Sequence, residues 1–550
     1  MSVAFTCKRC FAVCQKLWKR PSVYYLTDRD VIHVGDLPES VTHLAIDHHF
    51  TQRLTPGILP ESITELSLGY SFNTHIDPAT LPSSLQTLSF TNDPWFNERK
   101  QTFKPGCSNL PASLTSLTLG HMFDQSLAPG TLPHSITTLT LGNSFDHPLT
   151  AGVLPASLTR LVFGHEPPGF NQPTSLIVLP LGLRSLSLGI NFNQVIPQGW
   201  LPPLLERLSF GNHYQQDISP DALPASLQTL SFRKTLRIKQ LPPGALPPSL
   251  TTLKLPTNYN HPFAPGDLPS TLSTLVLGRW FNREWANNSL PPSLTSLVVG
   301  DQHSMTLLAL DSQPCSLQTL AMCHCFLDVR GQPCACNPSR CSEFDCFIPT
   351  GTLPNSIRTL SFGHSFNQPL GPLTLPSSLT NLALGAAFQQ DVDAQVFPMS
   401  LTRLALRGEP VRLPTSIKHL SLREMDQLCS MDTSPCAFDI VQMDLMECTG
   451  RAPLQPTTLS LRAVEVQFGV LSPFDESPIL EPSSKLTSFV VHFLRDHFMP
   501  RYQLPYVLRL RMEFVNINYI VSWIDSTTAL LVLCHDNVHR IWTTNKLQRQ

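Results

Sequence analysis

The stretch LPHSITTLTLGNSFDHPLTAGV, residues 132–153, is followed at once by LPASLTRLVFG, residues 154–164. The second segment restates the first 22 residues later. Counting the residue after the serine as position one, that position is held by Val41, Ile63, Leu85, Leu114, Ile136, Leu158, Leu183, Leu205 and Leu227. It continues through Leu250, Leu272, Leu294, Leu317, Ile357, Leu379, Leu401 and Ile417, which makes 17 turns. Ten of the sixteen steps between them equal 22, so the period governs the chain. A repeat of this length is one supersecondary unit that buries its apolar face only by stacking on its neighbours.

The positions within a turn have separate tasks. Position four is Leu in every turn, from Leu44 to Leu420, and position six is apolar throughout, as at Leu68, Phe90, Leu141 and Phe163. In a strand, four and six face one side while three and five face the other. The spacing therefore predicts a short parallel strand per turn with leucine stacked on leucine. Position seven is usually Gly, as at Gly69, Gly120, Gly142, Gly164 and Gly189, which suggests a tight exit with positive φ. Position ten is usually aromatic, as at Phe123, Phe145, Phe192, Tyr214, Tyr259, Phe326 and Phe366, and predicts a second buried column. Corner segments such as Pro129-Gly130 and Pro265-Gly266 precede the next Leu-Pro. Proline fixes φ and interrupts helices, so the far side should be mostly coil with little helix.

The repeat resembles the leucine-rich repeat in its L-x-x-L-x-L core and, more closely, the FNIP repeat, named for a Phe-Asn-x-Pro segment coupled to Leu-Pro-x-Ser-Leu. The copies that carry the resemblance are Phe366-Asn367-Gln368-Pro369 and Phe170-Asn171-Gln172-Pro173, with looser ones at Phe145-Asp146-His147-Pro148 and Tyr259-Asn260-His261-Pro262. It covers roughly residues 37–423. It implies a leucine-rich-repeat-like solenoid and a role in protein interactions. The Asn falls two positions later than the ladder asparagine of ordinary leucine-rich repeats, so that ladder is not carried over.

Composition narrows the function. Charged residues are 14% of the chain and the net charge is −2, with no long basic stripe, so the footprint of phosphate neutralisation is missing and nucleic acid is not expected as a partner. The 51 prolines sit beside 42% hydrophobic residues that recur regularly, enough to order the chain. The basic residues among the first twenty interrupt their apolar stretch, unlike a secretory signal, and no run of 18 apolar residues predicts a transmembrane helix. Fifteen cysteines without a disulfide framework fit reduced thiols in a cytoplasmic protein. No P-loop, G-x-S-x-G elbow or H-E-x-x-H motif is found, and no small-molecule substrate is inferred. The expectation is a non-catalytic scaffold for an unidentified protein.

Three sets of candidate site residues follow. Position three of the exposed strand face runs through Thr138, Arg160, Ser185, Arg207 and Thr229, with Ser67, Ser89, Ser187, Ser209 and Ser361 among the small residues at position five. Such residues suit a sheet surface in any case. As a platform, the face has Arg160 and Arg207 as anchors, since Arg is enriched at binding hot spots. Longer steps place loops at roughly 92–107, 165–175 and 323–349; the first contains Trp95, Phe96 and Arg99. The third lies in a cluster of seven cysteines from Cys315 to Cys346, including Cys323, Cys325, Cys334, Cys336 and Cys341, with His324. Thiolates and imidazole are zinc ligands, but no common C-x2-C pair is present. A structural zinc, a redox-sensitive set and plain unligated thiols all stand as readings; otherwise no cofactor is expected. His121, His165 and His364 share position eight and are expected on the solvent side of the loops.

The ends are less regular. A helix over Phe5–Arg20, stopped by Pro21, would cap the first turn or present basic residues to calmodulin or a membrane surface. Beyond 424, strand-like pieces at Leu459–Phe468, Phe489–Phe493, Tyr506–Phe514 and Ala529–Leu533 suggest degenerate turns and a C-terminal cap.

Overall fold

The computed structural model describes residues 32–46, 52–69, 79–90, 110–233, 240–299, 316–322, 344–406 and 411–422, a few single residues between them, and strand segments at 4–5, 22–26 and within 438–543. It divides into two compact units, one of residues 1–278 with 286–294 and the other of 279–285 with 295–550.

The first unit contains β1 (Ala4–Phe5), β2 (Ser22–Leu26), β3 (Val41–Ile46), β4 (Glu65–Leu68), β5 (Thr87–Phe90), β6 (Ser116–Thr118) and β7 (Thr138–Thr140). It continues with β8 (Arg160–Val162), β9 (Ser185–Ser187), β10 (Arg207–Phe210), β11 (Thr229–Phe232), β12 (Thr252–Lys254) and β13 (Thr274–Val276). From β3 on, each strand pairs in parallel with the next, and the position-four leucines stay in register: Leu139 with Leu161, Leu161 with Leu186, Leu186 with Leu208. All are buried, and each stabilises by about 2 kcal/mol. Parallel pairing needs a crossover, and here the crossover is coil. The described residues contain only two short 3-10 turns, Thr174–Leu176 and Ala394–Val396. Phe5, expected to begin a helix, lies instead in β1, paired with Tyr24 of β2; residues 6–21 lie outside the described residues.

The second unit contains β14 (Ser296–Val298), β15 (Thr319–Ala321), β16 (Thr359–Ser361), β17 (Asn381–Leu384), β18 (Arg403–Leu406) and β19 (His419–Leu422). Then come β20 (Phe438–Leu445), β21 (Leu461–Phe468), β22 (Val507–Met512), β23 (Ile517–Trp523), β24 (Ala529–His535) and β25 (Val538–Thr543). Parallel pairing in the leucine register runs on past Leu420 to Val441, Val464 and Leu508. From β22 to β25 the pairing is antiparallel. The strands β20, β23 and β25 were not anticipated from the sequence, and the piece at 489–493 lies outside the described residues.

The aromatic column is present. Phe123, Phe145, Phe170, Phe192 and Tyr214 stack in sequence, with centroids 6.1, 6.2, 6.4 and 6.5 Å apart and planes within 17° of parallel. In the second unit Phe344, Phe366 and Phe388 repeat the arrangement at 6.0 and 6.1 Å. Phe344, beyond the long insertion, takes the place assigned above to Phe326, which lies outside the described residues.

The glycines at position seven are a correction. Their φ is not positive; positive φ falls instead on the corner glycines, such as Gly57, Gly130, Gly152, Gly199 and Gly266. A Cβ on Gly142 would sit 1.9 Å from the carbonyl oxygen of Gly120, and one on Gly211 would sit 2.1 Å from that of Gly189. Position seven is glycine because successive turns touch there, backbone on backbone.

Candidate functional site

Two polar systems join the turns and explain residues that otherwise look available for chemistry. The serine of Leu-Pro-x-Ser donates its hydroxyl to the position-one carbonyl of the preceding turn. Ser113 gives to Leu85, Ser135 to Leu114 and Ser157 to Ile136, at 2.6 to 2.7 Å, and Ser378 and Ser400 do the same at 2.8 and 2.7 Å in the second unit. These carbonyls precede the strands, and the hydroxyls satisfy acceptors that would otherwise go unpaired.

The second system is an asparagine ladder. The Oδ1 atoms of Asp146, Asn171 and Asn193 accept the backbone N–H of Asn171, Asn193 and Gln215, at 2.9, 2.9 and 2.8 Å. Asp345 and Asn367 accept from Asn367 and Gln389 in the same way. The following glutamine reaches back too: the Nε2 of Gln194 donates to Asn171 O and Oδ1, and that of Gln390 to Asn367 O and Oδ1. The Asn of Phe-Asn-x-Pro is therefore a bridge to the next turn, a role that its displaced position had hidden.

The histidines depart from expectation. The Nδ1 of His121 meets the Nδ2 of Asn143, a buried side chain that also donates to Glu166 Oε2 at 3.3 Å. His165 is half-buried, its Nδ1 has no hydrogen-bond partner, and burial lowers its pKa to about 4, so it is neutral at physiological pH. The insertion after it folds back on the preceding turn, where the N–H of Gly169 bonds to Asn143 O at 2.7 Å. That contact is why position eight is not simply a solvent position here.

The strand face holds the two arginines. Arg160 pairs with Ser185, and Ser185 with Arg207, so the arginines lie on one row of the sheet with one serine between them. At the usual strand spacing their Cα atoms are about 10 Å apart. Both are exposed, and neither guanidinium has an ion pair or hydrogen bond among the described residues. Their neighbours at position three, Thr138 and Thr229, are uncharged. Glu206, beside Arg207 in sequence, is engaged with Arg184 one turn back. In the second unit the face is more shielded: Ser361, taken as an outward residue, is 3% exposed.

Of the remaining candidates, Trp95, Phe96 and Arg99 lie outside the described residues, as do Cys323, His324, Cys325, Cys334, Cys336 and Cys341. Cys346 is described and has a free, partly exposed thiol. Among the described residues no group of three or more His, Cys, Asp or Glu is placed to hold a metal, and no helix is long and apolar enough to cross a membrane.

One feature had been missed. Ten large apolar side chains are exposed among the described residues, and five of them, Leu176, Val178, Leu181, Val195 and Leu204, fall between 176 and 204. Leu181 and Leu204 stand just ahead of β9 and β10, where the motif reads Leu-Pro-Leu-Gly-Leu and Leu-Pro-Pro-Leu-Leu. Those two breaks in Leu-Pro-x-Ser-Leu were the signal that could have revealed it.

The FNIP Repeat family matches residues 30–69, 50–93, 100–144, 145–191, 192–235, 239–279, 259–302, 344–386 and 366–408, together more than half of the chain. A solved structure described as "The crystal structure of CroV588 a novel circular LRR protein structure" is similar, with 32% sequence identity and a TM-score of 0.57. The match covers 76% of this chain and 62% of that one, so this chain spans less than two thirds of that relative's length. No curated protein matches.

Proposed function

This chain belongs to the FNIP repeat family, and on that premise we propose that it is a non-catalytic scaffold that binds another protein along its strand face. The observation that carries the reading is the row Arg160–Ser185–Arg207, two exposed guanidiniums without partners among the described residues, on an otherwise uncharged stretch of sheet. A scaffold whose paired strands hold two exposed arginines in fixed register suits recognition, because the backbone that carries them needs little reordering on binding. The serines that recur through the chain support a non-catalytic role. Ser113, Ser135, Ser157, Ser226 and Ser249 are each committed to a backbone carbonyl of the preceding turn. A cytoplasmic setting belongs to the same proposal, and the free thiol of Cys346 is consistent with it.

The test is affinity capture from native lysate with the full chain as bait, followed by cross-linking and mass spectrometry of the retained complexes. Cross-links from a captured protein to residues flanking positions three and five of β3 to β13 are the expected result. Cross-links confined to residues beyond 423, or to the first 36, would remove the strand face from the function.

A further inference from the structure

The row that carries the proposed scaffold role also specifies the chemistry of what it would hold. Two guanidiniums, unpaired among the described residues, flank Ser185 with its hydroxyl between them, and the nearest acid in sequence, Glu206, is occupied by Arg184. An anionic group above Ser185 would lie within reach of both arginines and of one hydroxyl donor, a set suited to a planar carboxylate. Elsewhere on the same row of this unit, His43 already faces Glu65 at 3.3 Å, and Thr87, Ser116, Thr138, Thr229, Thr252 and Thr274 are neutral. The positive charge of this row is therefore concentrated at β8 to β10.

The apolar residues give this site an edge. Leu204 takes the place of the serine three residues before Arg207, and Leu181 stands four residues before Ser185. The two lie in adjacent turns whose leading segments are hydrogen-bonded, Glu206 N–H to Arg184 O at 2.8 Å. They are 49% and 74% exposed. In the neighbouring turns these places hold Ala156, Ser157, Ala225 and Ser226, so the apolar enlargement is local to the turns of β9 and β10, which bear Ser185 and Arg207. Exposed leucine beside unpaired arginine is the composition of a protein-binding patch, with apolar contact supplying affinity and charge supplying orientation and steering.

We propose that the face of β8 to β10 binds an acidic segment of a partner protein, seating an Asp or Glu carboxylate between Arg160 and Arg207 and an apolar side chain against Leu181 and Leu204. The inference rests on the scaffold reading and narrows it to one class of partner.

The test uses the full chain and a short fluorescent peptide carrying an Asp-Glu pair next to two leucines, with binding read by anisotropy. Three companion peptides replace the acids by Asn-Gln, by phosphoserine, or by Lys-Lys. The acidic peptide should bind, more weakly as salt rises, while the Asn-Gln peptide should lose at least about tenfold in affinity. The double variant Arg160→Gln/Arg207→Gln should lose at least about tenfold for the acidic peptide, Leu204→Ser should weaken it by a smaller factor, and Arg358→Gln in the second unit should change nothing. Unchanged thermal unfolding of each variant separates lost binding from lost fold. Equal binding by wild type and double variant, no binding of the acidic peptide, or stronger binding of the phosphoserine peptide would overturn the proposal. Repeating the lysate capture with the double variant keeps the two readings apart. An unchanged set of captured, face-cross-linked proteins would sink the carboxylate site and leave the scaffold standing, whereas no face-cross-linked protein with the wild-type bait would sink the scaffold itself.

Discussion

The turns at residues 110–164 and those at 174–210 present the same strand and different corners. Leu117, Leu139 and Leu161 in the first region, and Leu186 and Leu208 in the second, sit in one unbroken parallel register. Yet the first region fastens every corner with a serine hydroxyl, through Ser113, Ser135 and Ser157, while the second has Gly182 and Leu204 in those places and puts leucine out to solvent. The leucine and aromatic columns thus suffice to keep the register, and the corner is the part of the turn free to change. A surface that departs from its repeat while its core does not is where selection for something other than folding can act.

The comparison can be broken first at the core. Leu139→Asp places an unpaired carboxylate in the leucine column and should cost more than about 4 kcal/mol, unfolding the neighbouring turns. Thr138→Asp, one residue away on the outward side, should cost under about 0.5 kcal/mol. Urea unfolding of both variants checks the pair, and similar losses would refute the register. Gly142→Ala should cost about 2–3 kcal/mol in the same assay, since its methyl meets the carbonyl of Gly120. A loss under about 0.5 kcal/mol would show that the turns can separate at position seven.

Corner chemistry comes next. Ser135→Ala leaves the Leu114 carbonyl without its hydroxyl donor and should cost about 1 kcal/mol, read as faster amide hydrogen exchange around 114–136. The reciprocal change, Leu204→Ser, should restore the regular staple to Leu183 and leave stability equal or slightly higher. A clear loss would mean that Leu204 packs for the fold rather than for a partner. A small effect is expected at Tyr214, whose ring belongs to the aromatic column and whose buried hydroxyl has no partner among the described residues; burial holds that phenol well above its ordinary pKa. Tyr214→Phe removes an unsatisfied group without disturbing the stack and should raise the unfolding midpoint, by a gain of at most about 1 kcal/mol.

Much of this was legible in the sequence, and the rest was not for identifiable reasons. The columns at Leu139 and Phe145 were readable because side-chain direction in a strand follows spacing alone. The reason for Gly142 was misread because glycine serves either positive φ or close approach, and only the position of the neighbouring turn tells them apart. The ladder through Asp146, Asn171 and Asn193 was invisible because it depends on which backbone N–H lies one turn away, not on any neighbour in sequence. His165 was misjudged because its burial depends on how the insertion at 165–175 folds back. Arg160 and Arg207 could be named from the sequence, but not their freedom from partners, which required seeing Glu206 engaged with Arg184.

The ladder has a consequence for how such a chain can change over generations. Asn171, Asn193 and Asn367 each accept from the turn ahead and, through their own N–H, give to the turn behind, so the turns that carry them present the same pair of connections to their neighbours. Duplicating or deleting one whole period joins like ends to like ends and strands no donor, whereas gaining or losing a fraction of a period leaves a rung hanging. The chain is thus built to be edited in whole words. The odd step lengths fit that grammar where the structure describes them: the three extra residues in the step from Leu158 to Leu183 lie ahead of Phe170, and the ladder resumes at Asn171 as though nothing had been inserted.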